Sequence, residues 1–155
     1  MKVKNYTRII RQVNRPEAVV FDLDATLCDH DEQTNWEDCD KFHPIVPVVE
    51  LAKMTKAHGY DLVIATARPC KSRDKTLIWL ENHLPEWDAL YMKYSYVRAT
   101  ASACKEQQLL SIDKRWDILF WVDDSPFNAA VIRDHGVTCF RPTCNDAYWA
   151  TVERA

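Results

Sequence analysis

The run Val19-Val20-Phe21-Asp22-Leu23-Asp24-Ala25-Thr26-Leu27 decides the fold. It reads as an apolar strand that ends in two carboxylates one residue apart. Side chains alternate faces along a strand, so Asp22 and Asp24 share one orientation while Leu23 takes the other. Two anions held together need a cation, and a hard divalent metal supplies one. At the carboxyl end of a parallel strand such a pair faces the crevice where α/β proteins bind ligands.

Working outward, residues 28–43 show neither helical nor strand period and carry Asp29, Asp31, Glu32, Glu37, Asp38 and Asp40 against Lys41, with Trp36 among them. This segment reads as a loop or small lid over the carboxylate pair. From Pro44 to Met54 the apolar residues fall at helical spacing, with prolines in the first turn, and the helix ends at His58-Gly59. Tyr60 to Ala65 suits a buried strand, Ser72 to Leu84 a helix with Leu77, Leu80 and Leu84 on one face, and Ala89 to Met92 a strand. Ala101 to Ile112 reads as a helix, and Ile118 to Val122 as a strand ending in Asp123-Asp124. Pro126 to His135 supplies the last helix, before the run Val137 to Phe140. The chain has two glycines, Gly59 and Gly136, and both fall at a helix-to-strand turn, which argues for repeated αβ units. The pattern predicts an α/β, Rossmann-like parallel sheet with helices on both faces and a minimal lid after the first strand. One domain over residues 1–155, with 28–43 as the insertion, fits the length.

Composition narrows the function classes. With 47% hydrophobic residues and a net charge of −3, the chain is of the soluble globular type and has no global attraction for polyanions. No apolar run approaches the ~20 residues that span a bilayer, and the polar start MKVKNYTR lacks the middle of a signal peptide, so a cytoplasmic chain without membrane contact is expected. Lys2, Lys4, Arg8, Arg11 and Arg15 precede the first acid, Glu17; the run is either a nucleic-acid-binding arm or a solvated basic flank. The six cysteines contain no CxxC pair and are expected reduced. Cys28, His30, Cys39 and His43 have the residue types of a zinc site, but their spacing fits no common zinc pattern. A phosphate-cradling loop needs glycines this chain lacks, which excludes a P-loop kinase.

In such a sheet the strand ends at Asp22, Thr66 and Asp123 lie on one edge and converge on one crevice. Asp22 and Asp123, with Asp124 beside it, can hold Mg²⁺ with waters left on the metal, and the metal neutralises a phosphate. Thr66 offers a hydroxyl and a backbone N–H to phosphoryl oxygens. Lys105, at the start of a helix, is the best placed cation, with Lys93 and Arg98 behind it and Lys93 able to take its place. Together these make a phosphoryl-transfer site. The five histidines show no pairing and receive no role.

Asp22-x-Asp24-x-Thr26, Thr66, Lys105 and Asp123-Asp124, in that order over residues 18–142, resemble the four motifs of the haloacid dehalogenase superfamily. The resemblance implies that Asp22 attacks phosphorus and forms an aspartyl-phosphate, and that Asp24 acts as acid and then base. Thr66 and Lys105 would bind the phosphate, with Asp22, Asp123, Asp124 and the backbone carbonyl of Asp24 around Mg²⁺. Within the superfamily, the runs PEAVVFDLDATL, DCDKFHPIVPVVELAKMTKAHGYDLVIATARP and LFWVDDSPFNAAVIRDHGVTCFRP are similar to the phosphatase half of bacteriophage polynucleotide kinase/phosphatases. That likeness implies removal of a 3′-phosphate from a nucleic-acid end or nucleotide, with Arg68 contacting substrate; Thr26, Lys93 and Arg98 are expected on the substrate side with it. Neither kinase activity nor an obligate protein partner is expected.

Three positions depart from that family: Ala25 stands where it usually has glycine, Ala101 where it has an aspartate, and residues 28–43 lack the arginine often found there. An acidic lid repels a long polyanion, partly offset by Arg68, Lys71, Arg73 and Lys75. A small-molecule phosphatase acting on nucleoside monophosphates therefore stands as the alternative. DLDATL and VDDSP are also similar to phosphoprotein phosphatases of polymerase C-terminal domains. A non-catalytic phosphate-binding module is the remaining reading, and it has no need of Asp24.

Overall fold

The structure, a computed structural model, describes residues 15–29, 36–94 and 98–142. The basic run before Arg15, together with His30, Cys144 and Trp149, lies outside the described residues. Five strands, β1 (Glu17–Phe21), β2 (Asp61–Pro69), β3 (Ala89–Lys93), β4 (Asp117–Val122) and β5 (Cys139–Phe140), form one sheet in the order β3-β2-β1-β4-β5. Every strand pair is parallel. The intervening helices are α1 (Val46–Ala57), α2 (Arg73–His83), α3 (Ala101–Ile112) and α4 (Pro126–Asp134), and short 3-10 helices cover Trp36–Lys41 and Cys70–Ser72. Among the described residues no helix is long and apolar enough to cross a membrane.

Strand alternation sorts the core into two layers. Val19, Phe21, Leu62 and Ile64 face Val48, Val49 and Ala52 of α1 and Trp79 and Leu80 of α2. Ala18, Val20, Val63 and Ala65 face Leu109 and Ile112 of α3 and Ala129 and Ile132 of α4. Strands buried on both faces must be apolar throughout, which is why the central strands show no polar alternation. After β1 the chain steps out to β2 and β3 on one side, and β4 and β5 lie on the other. The crevice above β1 and β4 is therefore the topological switch point of the sheet, the usual ligand site of open α/β folds.

Details differ from the sequence pattern where polar chemistry overrides it. The buried face of α2 is Thr76, Trp79 and Leu80, while Leu77 is only half-buried. Thr76 is drawn inward because its hydroxyl bonds the Ser72 carbonyl at 2.9 Å and receives the Arg68 guanidinium at 3.1 Å. β2 runs on to Pro69, and β5 is limited to two residues. β1 ends at Phe21, yet Asp22 N–H still donates to Val122 O at 2.8 Å, and Leu23 keeps the strand alternation by packing in the α1/α2 layer.

Both glycines adopt positive φ, +91° at Gly59 and +83° at Gly136, as the helix-to-strand turns require. The one described non-glycine residue with positive φ is Ala25, at +58°. It sits in the tight turn where Leu27 and Cys28 N–H both donate to Leu23 O, at 2.8 and 2.9 Å. A Cβ in this region costs roughly 1–2 kcal/mol, less what glycine loses in unfolded-chain entropy. Ala25→Gly is therefore expected to raise stability by about 1 kcal/mol, read as a higher urea midpoint at unchanged slope.

Candidate active site

Parallel register places the acids side by side. Phe21 pairs with Val122, so the next residues, Asp22 and Asp123, leave adjacent strands at the same level. Asp22, Asp123 and Asp124 are all buried, and each offers a carboxylate oxygen within 4.8 Å of the others. Lys105 of α3, 1% exposed, reaches into this group. Its ammonium bonds Asp22 Oδ1 at 2.5 Å, lies 3.1 Å from Asp123 Oδ2, and also donates to Ala65 O. Two N–H groups of the ammonium have hydrogen-bond acceptors, and the contact with Asp123 is an ion pair. Thr26 is fully buried, its hydroxyl 3.3 Å from both Asp22 Oδ2 and Asp124 Oδ1, and it accepts from Asp124 N–H at 3.1 Å.

Asp24 follows a different course. Its side chain is not in the three-carboxylate group but lies against Arg68, which donates through Nε at 2.9 Å to Oδ1 and 3.0 Å to Oδ2, and through Nη2 at 2.7 Å to Oδ1. The Thr66 hydroxyl is 3.4 Å from Asp24 Oδ2 and accepts from Arg68 N–H at 3.1 Å. The sequence reading sets Thr26 and Arg68 against substrate; here both are fully buried and face carboxylates. Lys93 does not join the group: it donates to Ala99 O at 2.7 Å and lines a cavity of about 350 Å³ with Cys70, Arg73, Tyr91 and Cys104. Arg98 is exposed.

Residues the sequence did not single out complete the frame. Asn128 of α4 donates to Asp123 Oδ1 at 3.0 Å, beside the Ser125 N–H at 3.1 Å, and is tied to α3 by Ser102 Oγ at 3.1 Å. Gln108, one turn beyond Lys105, donates to Thr66 O at 2.9 Å. For Gln108 the signal was its i+3 spacing from Lys105, which puts both on one helix face. Cys28 and Cys39 are buried thiols, and no described His, Cys, Asp or Glu cluster other than the aspartate triad gathers metal-ligand atoms.

A family model for the phosphatase domain of polynucleotide kinase PNKP matches residues 16–146. The chain belongs to that family. As a haloacid dehalogenase-type phosphatase domain it is a phosphoric monoester hydrolase. Two solved chains, one of the Pnkp1/Rnl/Hen1 RNA repair complex and one of a Pnkp1/Rnl/Hen1 complex, superpose on this phosphatase domain. One has a TM-score of 0.80 and 23% identity over 91% of this chain and 47% of its own, the other 0.77 and 24% over 84% and 47%. The chain thus spans about half the length of those proteins. D,D-heptose 1,7-bisphosphate phosphatase from B. bronchiseptica, solved with magnesium and phosphate, superposes at 0.60 with 13% identity over 89% and 86%. At these identities the superpositions carry the fold. No curated protein sequence matches the chain significantly.

The donor set of the phosphatase domain fits a hard divalent cation. Three carboxylate oxygens converge, and Asp123 Oδ1 is held by two N–H donors while Oδ2, fully buried, has no hydrogen bond beyond the Lys105 ion-pair contact. Burial pushes the Asp22 carboxyl well above the usual range; Lys105 opposes this, and Asp123, Asp124 and Asp24 add to it. Burial also disfavours the Lys105 ammonium, but Asp123 and Asp22 outweigh it and hold the group above its ordinary value.

The Asp22 shift sets a pH dependence. A carboxyl raised in the folded state binds more protons there than in the unfolded chain, so its contribution is fully present below about pH 4 and is lost as pH rises through the raised value. In chelator, the urea midpoint of Asp22→Asn relative to the parent is expected to increase as pH rises above about 4. A difference independent of pH would show that Asp22 ionises as an ordinary carboxylate.

Proposed function

We propose that this domain is a Mg²⁺-dependent phosphatase that removes 3′-phosphates from nucleic-acid ends through an aspartyl-phosphate on Asp22. The observation that carries the reading is the family match over residues 16–146 to a polynucleotide kinase phosphatase domain. The buried Asp22–Lys105–Asp123 arrangement supports it, since it joins a carboxylate nucleophile to a charge-balancing cation. Mg²⁺ held by Asp22, Asp123, Asp124 and the Asp24 carbonyl would neutralise the phosphoryl group.

The chain's own groups divide the remaining work. An Asp22 oxygen forms a bond to phosphorus as the ester P–O bond breaks, and the leaving oxygen takes a proton from Asp24. Water then attacks the aspartyl-phosphate, its proton passes to Asp24, and inorganic phosphate and free Asp22 are regenerated. Lys105 balances the carboxylates and turns an N–H toward a phosphoryl oxygen, and Thr66 adds a further donor. Asn128 keeps Asp123 oriented.

The test is a panel: a 3′-phosphorylated oligonucleotide, 3′- and 5′-mononucleotides, and a phosphopeptide, each with Mg²⁺ and with chelator. The expected result is phosphate release fastest from the oligonucleotide and lost in chelator. Asp22→Asn should lower turnover by at least about 10³-fold on every substrate. Equal rates on mononucleotides would replace the end-processing reading with a nucleotidase. Unchanged turnover in Asp22→Asn would remove covalent catalysis at this residue.

A further inference from the structure

Asp24 is the more exposed of the two carboxylates, its side chain 17% accessible, and its orientation is set from behind by Arg68, whose side chain is wholly buried. A buried guanidinium has five N–H donors that must be matched, so its neighbours decide where it points. Nε and Nη2 bond Asp24, and Nη2 also reaches Cys28 Sγ at 3.3 Å. Nη1 donates to Thr76 Oγ1 at 3.1 Å. The Thr76 hydroxyl has a single proton, which goes to Ser72 O at 2.9 Å, so toward Arg68 it acts as acceptor. The guanidinium carbon lies 5.7 Å from the Trp36 ring centroid and 5.3 Å from that of Phe42. Phe42 is fixed in turn by Trp79 Nε1, which donates to its carbonyl at 2.7 Å.

We propose that Thr76 is a positioning residue for Asp24, acting through Arg68 so that Asp24 Oδ2 carries the proton given to the leaving group. Oδ1 receives two N–H donors at 2.9 and 2.7 Å and the Cys28 thiol at 3.6 Å, whereas Oδ2 shares Nε at 3.0 Å and receives the Thr66 hydroxyl at 3.4 Å. The less committed oxygen is the one on the side of Thr66. The proposal rests on the acid–base reading of Asp24. As the ester P–O bond breaks and Asp22 bonds phosphorus, the proton moves from Oδ2 to the departing oxygen, and Asp24 is left as carboxylate. Losing the Thr76 acceptor frees the guanidinium to rotate, and Oδ2 leaves that position.

This role predicts selectivity by leaving group. An alkyl phosphate needs the proton; 2,4-dinitrophenyl phosphate, with an acidic leaving group, does not. kcat/KM reports the steps through loss of the leaving group, so the two substrates isolate proton donation. In Thr76→Val, kcat/KM for the alkyl phosphomonoester turned over best is expected to fall roughly 10- to 100-fold, while that for the dinitrophenyl ester stays within about threefold. Thr76→Ser, which keeps the hydroxyl, should restore the alkyl value to within about threefold. Thr76→Ala gives the same pattern as Thr76→Val and serves if thermal unfolding shows the valine variant misfolded. Equal losses on both substrates, no loss on either, or failure of Thr76→Ser to rescue would overturn the proposal. Asp24→Asn, run alongside, separates the two layers. Selective loss there with unselective loss at Thr76 sinks the positioning role alone, and unselective loss at Asp24 itself sinks the acid–base reading.

Discussion

The buried ammonium of Lys105 is the contact on which the rest of the site depends. Adjacent parallel strands that both end in aspartate bring like charges together in a medium where water no longer screens them. One lysine of α3 bonds Asp22 and approaches Asp123 while donating to Ala65 O within β2, so a single side chain ties the carboxyl ends of β1 and β4 to β2. Burying such a charge is expensive, and removing one partner typically costs about 3–5 kcal/mol because the others are left uncompensated. The arrangement persists because α3 is itself well fixed. Its N-terminus is capped by Thr100, which accepts from Ala103 N–H at 3.2 Å, and its face packs through Leu109 and Ile112.

The same economy explains the neighbours. Ser102 of α3 bonds Asn128 of α4, and Asn128 bonds Asp123, so the two helices on that face are registered through the group that orients the carboxylate. Gln108 repeats the Lys105 device one turn along, holding Thr66 O as Lys105 holds Ala65 O. Two successive carbonyls within β2 are thus secured by side chains of α3, where the β2–β3 register becomes irregular after Ala65.

The fold was legible because it rests on apolar runs, helix spacing and two glycines, all of which are local signals. The strand-terminal acids were legible for a related reason: Asp22 and Asp123 follow apolar strands, and a parallel sheet brings such ends to one edge. Helix α3 was read with its observed limits, Ala101–Ile112. What the sequence did not disclose was the partner of each polar group. Thr76 lies at a position where apolar spacing points to Leu77, and its burial is decided by a guanidinium eight residues earlier in the chain. Arg68 and Thr26 carry the right chemistry to touch phosphate, but whether a side chain faces substrate or a neighbouring carboxylate depends on three-dimensional closure. The segment at Trp36–Lys41 has no period because it packs on α2 and over Arg68 rather than forming a layer of its own.

Asp22 and Asp24 share strand parity, which by itself would aim them at one cation. They part company because the ladder bond from Asp22 N–H to Val122 O is the last of β1 on that side, and the chain then turns through Ala25 at φ +58°. Asp22 stays with the α3 and α4 side of the crevice, where Lys105 and Asp123 wait. Asp24 comes under the control of β2 and α2, through Arg68 and Thr76. The turn therefore does more than reverse the chain. It assigns two chemically identical groups to two separately built surroundings, one rich in carboxylates and one built around a guanidinium, and different surroundings are what allow one residue type to serve in two roles.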